Sequence, residues 1–223
     1  MKHVSPILLF ALMLLISLPV SAAGRHKKKD SGHIGIRVAY DLNRTTNYTD
    51  IVKWGSGGAI GMSYTFPFKQ RWYFTPALLF NYDKTIFNGE INEPKYHYSR
   101  SIEGNMNNIG IRMPMDIGFC FINGPKWQIS VFTGPQLFFN FKYKEVYDII
   151  RNSGNEHIDR DLLNSGMEIG WNAGVALNIA RHWHIQADYT VGLSKMGMND
   201  HINVFHPMNF RRSQLSLGLG YDF

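Results

Sequence analysis

The chain has 223 residues and a formal charge of +6, a length that suits one domain of ordinary size or a small barrel. Its single cysteine, Cys120, excludes an intramolecular disulfide framework and any CxxC thiolate metal site. A basic balance of this kind would suit a nucleic-acid binder, but the first element in the chain argues against that partner.

That element is residues 1–22. Lys2 is followed by the uncharged apolar run "VSPILLFALMLLISLPV" and then by "SAAG", whose small residues are of the kind a signal peptidase reads. A signal peptide cut after Ala22 or Ala23 is expected, and it exports the chain. Small residues end the run and no second apolar span follows, so an N-terminal anchor fits less well. No Cys at the cut site offers a lipid-attachment point. Residues 23–32 hold "RHKKK", read as a solvated basic tail.

From 33 to 223 the dominant period is two, the signature of strands with two unlike faces. Eight such segments are expected, at about 33–41, 57–66, 72–82, 107–121, 127–143, 166–179, 183–194 and 212–223. The first sets Ile34, Ile36, Val38 and Tyr40 against Gly35, Arg37 and Ala39; the last sets Leu215, Leu217, Leu219, Tyr221 and Phe223 against Gln214, Ser216, Gly218, Gly220 and Asp222. In all eight, one alternate set lacks Asp, Glu, Lys and Arg, while the other is small or polar with occasional charges. A water-soluble barrel would carry Lys and Glu on its outer face. Small polar residues suit a crowded lumen, and large apolar ones suit lipid. The reading is therefore all-β: an eight-stranded antiparallel up-and-down transmembrane β-barrel, with the apolar face outward. Pro76, Pro114 and Pro135 fall inside strands without a ladder donor, and "TGPQ" at 133–136 reads as a bulge that would flip Phe132 or Phe138.

Long connections (about 42–56, 83–106, 144–165 and 195–211) alternate with the short ones "PFKQR", "NGPK" and "ARH". Outer-membrane barrels have long outer loops and short periplasmic turns. Each short turn leads into a tryptophan that opens a strand. Trp72, Trp127, Trp183 and the terminal Phe223 are thus expected to form a periplasmic aromatic girdle, with Arg71 and Lys126 at headgroup depth. Lys53-Trp54 is a similar pair but falls in a long connection.

The inward charges are Arg37, Arg112, Asp116, Lys142, Glu168, Asp188 and Asp222, with His184 nearby. An eight-stranded barrel is about wide enough for its own side chains, so these are expected to form a network of ion pairs rather than an open channel. Lipid-modifying barrels need a His and a Ser on the outer face; His184 and Ser194 both read as inward, and no enzyme activity, catalytic residue or cofactor is expected. "HWH" at 182–184 places two His on one side without a third metal ligand. "GSGGAIG" at 55–61 lacks the strand-turn-helix setting of a phosphate loop.

With "IRMPMDIGF", "FTGPQ", "WNAGVALNI", "ADYTVGLS" and the ending "LSLGLGYDF", the chain resembles the outer-membrane β-barrel family common in the Bacteroidota, which includes the PorT-type proteins. Small barrels of the OmpX kind have the same architecture and no enzyme activity. The resemblance covers roughly 33–223 and implies residence in the outer membrane of a Gram-negative bacterium. It also implies that Tyr221 and Phe223 form the signal read by the barrel-assembly machinery. PorT is associated with a protein secretion system. Expected partners are outer-membrane lipid, the assembly machinery and envelope or secretion proteins, with no nucleic acid. A structural or interaction role is the first reading; a narrow ion or solute channel is the alternative.

Overall fold

The computed structural model describes residues 32–46, 52–93, 98–151, 154–162, 166–180, 182–194 and 211–223. The expected signal peptide (1–22) and all of the basic tail (23–32) but Gly32 lie outside these.

The described residues form ten strands: β1 (His33–Thr46), β2 (Val52–Lys53), β3 (Gly55–Lys69), β4 (Trp72–Glu93), β5 (Tyr98–Asn123), β6 (Trp127–Arg151), β7 (Gly154–Leu162), β8 (Gly166–Ile179), β9 (Trp183–Gly192) and β10 (Arg211–Asp222). Eight of them pair antiparallel in the closed cycle β1-β3-β4-β5-β6-β8-β9-β10. The cycle closes because Ile36 faces Tyr221 and Leu42 faces Leu215, the first strand on the last. Closure gives each of these eight strands two neighbours, which a bilayer demands of any backbone crossing it.

The fold is inside out. Among the described residues the buried set holds 22 polar or charged side chains against 13 apolar ones. Ile60, Met62, Phe80, Val175, Leu217 and Leu219 are half or more exposed. Such a surface is stable only against hydrocarbon. On β4 the outward face runs from Trp72 to Tyr82, eleven residues. A tilted strand of that length rises about 25 Å, the height of the apolar band of a transmembrane barrel.

Two expected connections are strands instead. β4 and β5 pair continuously out to Glu93↔Tyr98, through the expected loop 83–106. β6 runs on to Arg151 and β7 returns along it, through 144–165. The expected strands stop where outward charge begins, at the edge of the bilayer. The ladder itself needs only a neighbouring strand, not lipid. Here the wall continues as a sheet of β2, the far halves of β4, β5 and β6, and β7. This sheet has apolar side chains of its own, Val52, Phe87, Ile102, Met106, Ile149 and Ile158, each at most 7% exposed.

No bulge falls at "TGPQ". Gly134 faces Asn172 in unbroken register with β8, and Phe132 and Phe138 both point inward, buried. The register shifts lie elsewhere. The extra residue is Phe68 on β3, Phe121 on β5 and Phe141 on β6. All three are exposed, so each bulge adds one ring to the outer surface near an end of the apolar band. Each proline interrupts one ladder while the other continues. The β3–β4 pairing skips Pro76, β4–β5 skips Pro114 and β5–β6 skips Pro135. On its other side each proline pairs normally, opposite Met115, Gln136 and Trp171. Proline has one donor fewer, so it can serve one neighbour and not both.

Candidate functional site: the lumen and its two rims

The lumen is filled in three tiers, each built round one arginine. Nearest the short turns, Arg37 Nη2 lies 2.6 Å from Asp222 Oδ1, with His33 Nε2 3.5 Å from the other carboxylate oxygen. In the middle tier, Arg112 Nη1 donates to Asp41 Oδ1 at 3.1 Å and to Ser216 Oγ at 3.2 Å. In the far tier, Arg212 bridges two carboxylates, through Nη1 to Asp83 at 2.5 Å and through Nε to Glu168 at 3.1 Å. Its guanidinium lies over the Phe138 ring at 4.4 Å.

Amides complete these tiers. Asn43 and Asn81 donate to the two oxygens of Asp83, at 3.0 and 2.8 Å. Asn108 donates to Asn140, which donates to Glu168. A guanidinium and two amide donors replace much of the hydration that the Asp83 carboxylate loses in the lumen.

The structure brings together Arg37 with Asp222 and places Arg112 and Glu168 in the other two tiers. Asp116 and Asp188 stand apart from the three arginine pairs. Asp188 accepts from Gln186 at 3.0 Å, in a chain that continues to His184 and Asn178. Asp116 lines a cavity of about 40 Å³ together with Tyr73, Phe132, His184, Gln186 and Arg37, which is room for a few waters.

Lys142 is a correction. The Phe141 bulge shifts the β6 register by one, so Lys142 falls opposite outward Ile109, half-exposed, and leaves the lumen. Asp41, Asp83 and Arg212 belong to the tiers and were not among the expected charges. Asp41 and Arg212 sit at the expected strand ends, and Asp83 just beyond one. The extension of period two past Tyr82, with Asp83, Thr85 and Phe87 in phase, was the signal for it.

Two glycines make room for lumen rings. A Cβ on Gly174 would stand 2.6 Å from the Phe132 ring, and one on Gly118 would fall inside the Tyr73 ring. Each glycine is the ladder partner of the residue whose ring covers it. Tyr73 Oη then reaches past β5 to Ser130 Oγ on β6 at 2.8 Å.

At the short-turn end Trp72, Trp127 and Trp183 are exposed, at 42%, 46% and 49%. Register puts Trp127, Ile179, Trp183, Tyr221 and Ile36 in one row round the barrel. Trp72 packs on Phe119 at 4.9 Å, and Tyr221 lies 5.3 Å from both Trp183 and Phe223. Phe223 is 69% exposed, yet its N–H donates to Ile34 O at 2.9 Å. The two histidines of "HWH" are not on one side, as the period suggested. His182 belongs to the turn and stacks on outward Tyr221 at 5.5 Å, while His184 lies within the lumen wall.

A closed ring with a polar inside, an apolar outside and an aromatic row at one rim is the architecture of a bacterial outer-membrane barrel. Residues 23–197 match the family described as outer membrane protein beta-barrel domain. The chain belongs to that family.

No curated protein matches it. Among solved structures it is similar to Ail, the attachment invasion locus protein of Yersinia pestis, at 15% identity over 86% of this chain and 99% of that one, TM-score 0.45. It is also similar to Neisserial surface protein A at 11% over 87% and 100%, TM-score 0.42. OprG of Pseudomonas aeruginosa gives 9% over 86% and 96%, TM-score 0.44. As a member of this family, the barrel resides in the outer membrane of Gram-negative cells.

Proposed function

We propose that this outer-membrane barrel works through protein interaction rather than catalysis, as a secretion or envelope-assembly component of the PorT-type, Bacteroidota kind that its sequence resembles. The observation that carries the reading is the wall beyond the bilayer. β4, β5, β6 and β7 rise past the apolar band as one sheet with buried apolar side chains. A barrel that served only to fill the membrane has no need of it. The far face of this sheet mixes Ile150 with the pairs His157–Asp148 (2.6 Å) and Lys144–Asp159 (3.2 Å), an exposed apolar group among charges of both signs.

In this reading the short turns face the periplasm and the sheet faces the exterior. The signal peptide at 1–22 directs export, and Tyr221 and Phe223 are read by the barrel-assembly machinery. A catalytic role has little support: His184 is engaged with Asn178 and Gln186, and Ser194 Oγ accepts the Ile169 N–H at 2.7 Å.

The test is in-cell cross-linking followed by purification from outer membranes. Recovery of a stoichiometric set of envelope or secretion proteins is expected, and a barrel recovered alone overturns the reading. An altered lipid A mass spectrum in a deletion strain would move the protein to the lipid-modifying class.

One observation favours a narrow channel as the second reading: the cavity beside Asp116 lies in the lumen, with Arg37 and His184 in its wall. Single-channel steps that disappear in Arg112→Ala would support it.

A further inference from the structure

Two lumen carboxylates are left over from the arginine pairs. In the tier nearest the short turns Arg37 is matched to Asp222, and in the middle tier Arg112 is matched to Asp41. Asp188 stands one strand away from Asp41, on the other side of Ser216. Asp116 shares a cavity with Arg37. Among the described residues, these two tiers therefore set two arginines against four carboxylates. Asp188 accepts from Gln186 at 3.0 Å. Asp116 has a carboxylate oxygen, Oδ1, that is shut off from solvent and has no hydrogen-bond partner. An ionised carboxylate in so narrow a lumen needs a counter-charge.

The cavity beside Asp116 has room for one. Its volume of about 40 Å³ holds an ion with a water or two. Ser63 opens into it from β3; it is 4% exposed, and its Oγ has no partner. Thr75, the ladder partner of Asp116, brings a second hydroxyl into the wall. Tyr73 brings a third, which gives its hydrogen to Ser130 and is left an acceptor. The cations and donors of the wall are already engaged: Arg37 lies on Asp222, His184 is held between Asn178 and Gln186, and Gln186 donates to Asp188. What is left facing the cavity is oxygen, one of it charged.

We propose that this cavity binds one monovalent cation of sodium size, with Asp116 Oδ1 as its charged ligand and Ser63 Oγ as a neutral one. Hard cations take oxygen ligands. Calcium fits less well, since it takes about six to eight oxygens and commonly several carboxylates, whereas Asp116 is the one carboxylate in this wall. Water alone would satisfy Ser63 and Asp116 as hydrogen-bonding groups and leave the charge unanswered. A proton on Asp116 is the rival occupant, and the experiment separates the two. The inference rests on the closed lumen. It needs neither conduction nor a protein partner, so its failure leaves both of those readings where they stand.

The experiment uses the full barrel in zwitterionic micelles at mildly alkaline pH. It is equilibrated with radioactive sodium against a micelle-only blank. Its urea unfolding midpoint is followed in parallel, as sodium chloride replaces N-methylglucamine chloride at constant ionic strength. One sodium per barrel is expected, displaced by unlabelled sodium and not by N-methylglucamine, which is too large for the cavity. The midpoint should rise with sodium and then level off, as it does for a ligand that binds the folded state alone. Asp116→Asn keeps the shape of the side chain and should abolish both the bound sodium and the rise. Ala77 lines the cavity and is 7% exposed, so Ala77→Val fills the space without changing charge and should also lose the sodium. Asp159→Asn, on the sheet beyond the bilayer, should bind as the parent does. Far-UV circular dichroism checks that each variant is folded. No sodium above the blank assigns the counter-charge to a proton and overturns the site. Sodium retained in both Asp116→Asn and Ala77→Val overturns it as well, and so does displacement by N-methylglucamine, the mark of diffuse screening.

Discussion

Arg212 is the residue on which the far tier depends. It is 4% exposed and serves two carboxylates on two different strands, Asp83 on β4 and Glu168 on β8. Removing it strands both charges in a dry lumen. Arg212→Ala should therefore cost about 3–5 kcal/mol, read as a shift of the urea unfolding midpoint in micelles. Asp83→Asn/Glu168→Gln in the same background should recover much of the loss, since amides need no counter-charge. Gly118 offers an independent test of packing. A side chain there must displace the Tyr73 ring and break its bond to Ser130. Gly118→Val should cost about 1–3 kcal/mol, and Tyr73→Ala should relieve the clash. The charges Arg37, Arg112, Glu168 and Asp222 were legible in the sequence because each sits inside a strand whose period is unbroken. Lys142 was misread because one extra residue, Phe141, reverses the parity of everything after it, and a bulge leaves no mark in composition.

Among the elements, the strand is the unit that decides which solvent a residue meets. Leu217 on β10 is 55% exposed, midway along the apolar row. In a water-soluble barrel an arginine there would be harmless. In this one Leu217→Arg should cost about 2–4 kcal/mol, measured by folding into lipid vesicles, and Leu193→Arg, 52% exposed just past the far end of β9, should cost much less. The three phenylalanine bulges belong to the same scale. Each inserts a ring at an exposed position near an end of the band, where the ladder can bend without opening the middle of the barrel. Deleting Phe141 should close the bulge and set Lys142 directly after inward Asn140, so Lys142 stays on the outward face. A cysteine placed at Lys142 in a Cys120→Ser background should therefore react with a water-soluble maleimide both with and without Phe141.

For the whole molecule the open question of polarity is which end of the barrel faces out. The long-strand end is expected to lie outside the cell. His157→Cys on β7, in the Cys120→Ser background, should label on intact cells with an impermeant reagent. Lys126→Cys in the turn before β6 should label only after the outer membrane is opened. The reverse pattern would invert the orientation.

The alternation of uncharged and polar sets carried the fold class by itself. A barrel wall is a local object: each residue's face follows from its parity, and lipid and lumen impose opposite chemistries on the two faces. The place of Trp72, Trp127 and Trp183 at one rim was legible for the same reason, since each opens a strand directly after a short turn. Strand length was not legible, because a ladder continues wherever a neighbour lies alongside, and β4, β5 and β6 find theirs beyond the membrane. Nor was the pairing of charges. Arg212 and Asp83 are 129 residues apart, and only closure of the ring, which sets β10 and β4 across one narrow lumen, decides that they meet.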